Sequence, residues 1–114
     1  MSDLLKKKCA PCEGGILPFD ISEIHKYQKK IDGWDVLKNK KEIFFLNKKF
    51  IFKNFFNSQK FVNKVGEISE EEGHHPDIKF GWGYAEIKIT THAVEGLSEN
   101  DFILAAKIDQ IFNV

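Results

Sequence analysis

Residues 77–91, DIKFGWGYAEIKITT, decide the fold. Ala85, Ile87 and Ile89 alternate with Glu86 and Lys88, the period-two pattern of a strand with one buried and one wet face. Gly81-Trp82-Gly83 interrupts the β-prone run. The segment therefore reads as two antiparallel strands, 77–82 and 84–91, joined by a tight turn. Upstream, Asn54 is positioned to cap a helix running to Glu72, with Phe55, Phe61, Val62, Val65 and Ile68 on its buried face and Gly73 as its stop. Before it, residues 34–37 and 43–52 form a second strand pair around the polar turn Lys38-Asn39-Lys40-Lys41. A first helix, capped by Asp20 or Ser22, runs to about Ile31, with Ile21, Ile24, Tyr27 and Ile31 on one face and Asp32-Gly33 as its end. After the hairpin, Leu97-Ser98-Glu99-Asn100-Asp101-Phe102 opens a last helix. Ser98 is its N-cap, Asp101 its N3 residue, and Leu97 and Phe102 the hydrophobic staple. The order α-β-β-α-β-β-α predicts an α+β, two-layer fold: a four-stranded antiparallel sheet with three helices on one face.

The 114 residues suffice for one core, so 1–114 is read as a single domain, with 1–19 an irregular N-terminal arm broken by Gly14, Gly15 and Pro18. Seventeen basic and seventeen acidic residues leave no net charge, which argues against general nucleic-acid binding. The lysine clusters at Lys6-Lys7-Lys8 and 38–41 read as solvated faces. No apolar run approaches the roughly 20 residues of a membrane span, and MSDLLKKKCAPC lacks the apolar core of a secretory signal, so the expected location is the cytoplasm. Cys9 and Cys12 form a C-x-x-C, but no strand precedes it and no second cysteine pair completes a zinc set, so both are expected to stay reduced.

Three of the four histidines, His74, His75 and His92, fall within nineteen residues. Imidazole both gives and takes protons near neutral pH, so the cluster points to proton transfer or to a metal. A turn centred on Gly83 sets His74 opposite His92, and one centred half a residue later sets His75 there; either brings three imidazoles together. Pro76 holds His75 extended, so His74 and His75 point to opposite sides, which counts against a shared metal. Asp101, in the first turn of the last helix, can orient an imidazole. Singly, each histidine is compatible with a structural role, Asp101 with simple capping, and His25 with an isolated surface position.

Glu70-x-x-x-His74-His75-Pro76-Asp77, then Thr90-Thr91-His92, then Gly96-Leu97-Ser98-x-x-Asp101 resembles the pterin-4a-carbinolamine dehydratase family. The 16 residues between His75 and His92, and the eight between His92 and Asp101, match the family spacing. Cys9-x-x-Cys12-Glu13-Gly14-Gly15, Gly33-Trp34 and the stretch from Phe50-x-Phe52 to Val65 carry the likeness over nearly the whole chain. Ile78 stands where many members have a larger aromatic, and Gly83 where asparagine is frequent; both bear on the pocket rim.

The resemblance implies dehydration of a 4a-hydroxytetrahydropterin to quinonoid dihydropterin, downstream of an aromatic amino-acid hydroxylase. It implies His74 and His92 as the acid–base pair, His75 as a pterin-binding and assisting group, Asp101 as the residue that positions histidine, and Glu70 as a supporting carboxylate. Pro76, Asp77 and Thr91 would complete the substrate-binding shell. Pterin is then the substrate, with no cofactor and no metal, and the protein would be a homodimer or homotetramer. Eleven phenylalanines in so short a chain agree with surplus apolar surface for association. Two rivals remain: a non-catalytic module that binds and stabilises a transcription-factor dimer, as some relatives do, and a metal-dependent hydrolase using the same histidines and Asp101.

Overall fold

Alternation along residues 84–89 becomes a sheet with one buried face. In the computed structural model, which describes residues 2–9 and 17–113, Ala85, Ile87 and Ile89 are wholly buried and the residues between them half-exposed. Four strands, β1 (Asp35–Lys38), β2 (Phe44–Ile51), β3 (Asp77–Gly81) and β4 (Tyr84–Ile89), form one antiparallel sheet in the order β1-β2-β4-β3. The helices are α1 (Ser2–Leu5), α2 (Ile21–Gln28), α3 (Phe55–Glu72) and α4 (Glu99–Asn113). Helix α3 packs on β3 and β4, and α4 packs on α3, α2 and α1. Leu46, Phe50, Ala85, Ile87 and Ile89 of the sheet meet Phe61 and Val65 of α3 and Phe102, Ile103, Leu104 and Ile108 of α4 in one core. The predicted α+β architecture is the one found. None of the described helices is long and apolar enough to cross a membrane.

Local chemistry explains most boundaries. Asp20 caps α2 through a full capping box with Glu23, and Asn54 caps α3 by accepting from Asn57 N–H. Gly73 takes the left-handed conformation that ends α3. Leu97 and Phe102, the two staple positions, are both fully buried.

Five expectations need correction. Part of the supposed irregular arm is ordered: Ser2–Leu5 is helical and Leu4 is wholly buried in the core, because one turn suffices to drop a leucine onto α4. Helix α2 stops at Gln28 rather than Ile31, its last turn tightening into bonds from Lys30 N–H to Tyr27 O and from Ile31 N–H to Gln28 O. Ile21 and Phe55, expected to face inward, are about half exposed; each is the first residue of its helix, where the apolar stripe overhangs the core edge. The hairpin turn centres between Trp82 and Gly83, with Gly81 opposite Tyr84, earlier than either register considered. Gly83 carries φ +78°, and a Cβ there would meet the Phe52 carbonyl at 3.2 Å. Finally, β4 ends at Ile89 rather than Thr91, and the ladder expected to set His92 opposite the histidine pair stops at Lys88. Cys12, Gly14 and Gly15 lie outside the described residues.

One polar group interrupts the buried face. Lys48 shares a strand face with Leu46 and Phe50, crosses the Phe50 ring at 4.8 Å, and places its ammonium 2.8 Å from Asp109 on α4. Trp34 Nε1–H donates to both Asp109 oxygens, at 3.1 and 3.0 Å. Burial pushes the Asp109 carboxyl above its ordinary value, against the pull of Lys48 and Trp34. Asp109→Ala leaves an ammonium and an indole N–H without their acceptor. It should destabilise the fold by about 2–4 kcal/mol, read as a lower urea midpoint at unchanged slope.

Candidate active site

The predicted histidines converge, but not by strand pairing. The β3–β4 ladder stops at Asp77 opposite Lys88. Beyond β4 the chain closes a small loop. Thr91 and Gly96 pair as an isolated bridge, and His92–Val94 forms a 3₁₀ turn that Glu95 ends in the left-handed region at φ +54°. This loop carries His92 on its exposed side. On the facing side, left-handed Gly73 turns the chain out of α3, and His74 N–H bonds back to Ser69 O at 3.2 Å. A cavity of about 420 Å³ opens between the two turns, lined by His74, His75, His92, Thr90, Thr91 and others from α3, α4 and the N-terminal segment.

A buried carboxylate anchors the site. Asp101 is wholly buried and takes His74 Nε2 at 2.7 Å on Oδ1. Its Oδ2 accepts from Thr91 Oγ1–H at 2.7 Å and from Ser98 N–H at 2.9 Å. Half of the predicted capping box is therefore present, with the Asp101 carboxylate on the N-cap N–H. The Ser98 hydroxyl lies 2.9 Å from Thr91 Oγ1. Because Thr91 gives its proton to Asp101, it must accept from Ser98. An ionised carboxylate only accepts, so Nε2 of His74 carries the proton and Nδ1 is left as the nitrogen that can exchange one.

The neighbouring imidazoles are held differently. His75 Nε2 meets Glu70 Oε2 on the last turns of α3, both side chains being well exposed, so the pair is worth little in stability. His74 and His75 thus bond to carboxylates on different helices, as expected for adjacent residues before a proline. No side chain among the described residues hydrogen-bonds the His92 imidazole. His92 also borders a second cavity of about 240 Å³, with Asp77, Lys88, Asn39 and Glu95. Asp77 lies in that second cavity and not in the first; Pro76 is half-buried and lines neither. Among the described residues, no three His, Cys, Asp or Glu side chains are grouped to hold a metal ion.

Sequence reasoning missed several residues of the cavity, three of them with polar side chains outside the histidine motif. Cys9, Glu72 and Asn100 line it too. Glu72 Oε1 accepts from Cys9 N–H at 2.8 Å, and its Oε2 accepts from Lys107 Nζ at 2.6 Å. Cys9 Sγ–H points to Asn100 O at 3.5 Å. Burial, and then the Glu72 charge beside it, push the Cys9 thiol up to about 12, so it is a neutral wall group at ordinary pH and no thiolate nucleophile. The C-x-x-C marked this region, but nothing in the sequence pairs residue 9 with residue 72.

A family profile described as Pterin 4 alpha carbinolamine dehydratase matches residues 18–111. A Rubrobacter xylanophilus protein with the provisional name pterin-4-alpha-carbinolamine dehydratase is 45% identical over 111 residues, covering 97% of this chain and all of that protein. Two solved structures are also similar. A Brucella melitensis protein titled a transcriptional coactivator/pterin dehydratase superposes with TM-score 0.75 at 23% identity, over 82% of this chain and 97% of the other, a likeness of fold. A pterin dehydratase-like protein identified as a RuBisCO assembly factor in the alpha-carboxysome superposes with TM-score 0.59 at 26% identity, over 69% and 88%.

The Glu72 anchor is pH-sensitive in a defined sense. Burial pushes its carboxyl up, but the Lys107 ammonium and the Cys9 N–H outweigh burial and hold it below its ordinary 4.5. A depressed folded pKa contributes stability that is present above about 4.5 and lost as pH falls through the lower folded value. In an acid titration followed by NMR, the Cys9 amide proton should therefore shift with a midpoint below 4.5. In Lys107→Met the midpoint should rise.

Proposed function

Because the chain belongs to the pterin-4a-carbinolamine dehydratase family, we propose that its histidine cavity removes water from a 4a-hydroxytetrahydropterin to give quinonoid dihydropterin. The observation that carries this reading is the His74 imidazole, tied at Nε2 to the buried Asp101 carboxylate beside a cavity that two further imidazoles also line. The substrate is a carbinolamine, with N5 and the hydroxyl on the same carbon C4a. One histidine protonates the hydroxyl. The N5 lone pair moves into the N5–C4a bond as the C4a–O bond breaks and water leaves. A histidine then takes the N5 proton. One water is lost and the protons balance, so the step needs no metal, oxidant or covalent nucleophile. Groups with a pKa near neutrality serve such transfers best, each contributing roughly 10²–10⁴-fold.

His74 and His92 form the acid–base pair in this reading, and His75, steadied by Glu70, binds the ring. Asp101 positions His74, and Thr91 positions Asp101. The substrate would come from an aromatic amino-acid hydroxylase, and a reductase would recycle the product, in the cytoplasm.

The alternative is a binding module without turnover. The solved relative at 26% identity is titled an assembly factor as well as dehydratase-like, and this chain exposes Ile51, Phe56 and Trp82. Turnover of chemically generated 4a-carbinolamine separates the two readings, since a binding module leaves the spontaneous rate unchanged. Exposed apolar side chains also support self-association. Light scattering at micromolar concentration should give a dimer or tetramer, and a monomer would refute it.

His74→Ala and His92→Ala should each lower kcat by about 10²-fold or more with the fold retained. His75→Ala should chiefly raise KM. Asp101→Asn should fall between, because the amide still caps but no longer carries the charge that orients the imidazole. Turnover should survive exhaustive chelation. Loss on chelation with recovery on adding zinc would make the histidines ligands. Near-full activity in His74→Ala/His92→Ala would remove them from the chemistry.

A further inference from the structure

We propose that Glu72 is a positioning residue of the histidine cavity, holding residues 2–9 against it as a wall that touches the bound pterin. The inference rests on the pterin reading of that cavity. Its basis is one carboxylate shared by three parts of the chain. Glu72 is the last residue of α3, directly before Gly73 and His74. Its side chain is 4% exposed, and its two oxygens serve different partners: Cys9 N–H from the N-terminal segment and Lys107 Nζ from α4.

The N-terminal segment has no regular structure beyond its single helical turn, so side-chain anchors must hold it. Leu4 is wholly buried, Lys7 Nζ lies 2.7 Å from Glu99, and Cys9 N–H lies on Glu72. The first two anchors tie the segment to α4 and the core. The third, together with the Cys9 Sγ–H bond to Asn100 O, sets where it meets the cavity, which Cys9 lines beside Asn100 and the histidines.

Bidentate use of Glu72 gives a definite consequence. Lys107 is only 13% exposed, so removing the Glu72 charge strands a partly buried ammonium and loosens the Cys9 backbone together. Neither group bonds His74, His92 or Asp101, so the acid–base groups stay in place. The loss falls on ground-state and transition-state binding alike, which raises KM and leaves kcat. A protonated thiol suits this wall. It packs against a flat heteroaromatic ring as a small apolar group and adds no second negative charge beside Glu72.

The test uses the full chain, with 7,8-dihydrobiopterin as an unreactive probe. Its Kd is measured by fluorescence quenching, and alkylation of Cys9 by iodoacetamide is followed by peptide mass spectrometry, which resolves Cys9 from Cys12. Wild-type Cys9 should react slowly, and more slowly still with the probe bound. Glu72→Gln and Lys107→Met should each speed Cys9 alkylation, weaken probe binding and raise KM by about tenfold, with kcat within about twofold. Lys107→Arg keeps the ion pair and should stay near wild type. Cys9→Ala, which leaves both charges in place, should weaken the probe on its own.

Probe binding by the wild type that Glu72→Gln and Cys9→Ala leave unchanged, or the absence of any Cys9 protection by bound probe, overturns the wall and spares the pterin reading. No probe binding by the wild type sinks both. If Glu72→Gln fails to fold, Cys9→Ala and the protection of wild-type Cys9 still decide.

Discussion

A carboxylate withdrawn from water and met by three donors organises one end of this molecule. Asp101 has no solvent to satisfy it, so His74, Thr91 and Ser98 must. Hydrogen bonds to a charged group contribute about 1.5–3 kcal/mol each, and losing one inside the fold costs desolvation as well. The three donors come from three places: the turn after α3, the loop after β4 and the start of α4. Satisfying Asp101 therefore sets how these pieces meet. It also sets the His74 tautomer, so one set of bonds determines both the local fold and which ring nitrogen exchanges a proton.

A second buried carboxylate repeats the device close by. Glu72 joins α3, α4 and the N-terminal segment, as Asp101 joins α3, the β4 loop and α4. The two carboxylates lie on elements that flank the same cavity, and each holds a different part of its lining. The three imidazoles differ accordingly. His74 is largely buried and held by a charge, whereas His75 and His92 are exposed to the cavity and to solvent. A held imidazole suits a proton transfer of fixed geometry, and exposed ones suit binding and exchange with water.

Periodicity made much of the fold legible. Alternation of Ala85, Ile87 and Ile89, the caps at Asp20 and Asn54, and the stop at Gly73 are local patterns with local causes, and the structure keeps them all. The site was legible as a set because His74, His75, His92 and Asp101 follow one another at short spacing. Its route was not. Strand pairing was the wrong explanation for the meeting of His74 and His92. Both are brought in by turns beyond the ladder, one through Gly73 and the other through the 3₁₀ turn closed by Glu95.

By itself, then, the sequence determined the order of the four strands and the three longer helices, the buried face of β4, and the residues able to move protons. Those follow from side-chain period, capping chemistry and intrinsic pKa, which act over a few residues. Tertiary structure alone decided that Cys9 reaches the cavity, that Glu72 holds it there, and that Lys48 and Trp34 converge on Asp109. These partners stand 61 to 75 residues apart. Each is a polar or charged group that burial forces to find whatever donor or acceptor the folded chain brings near, and no local pattern encodes that choice.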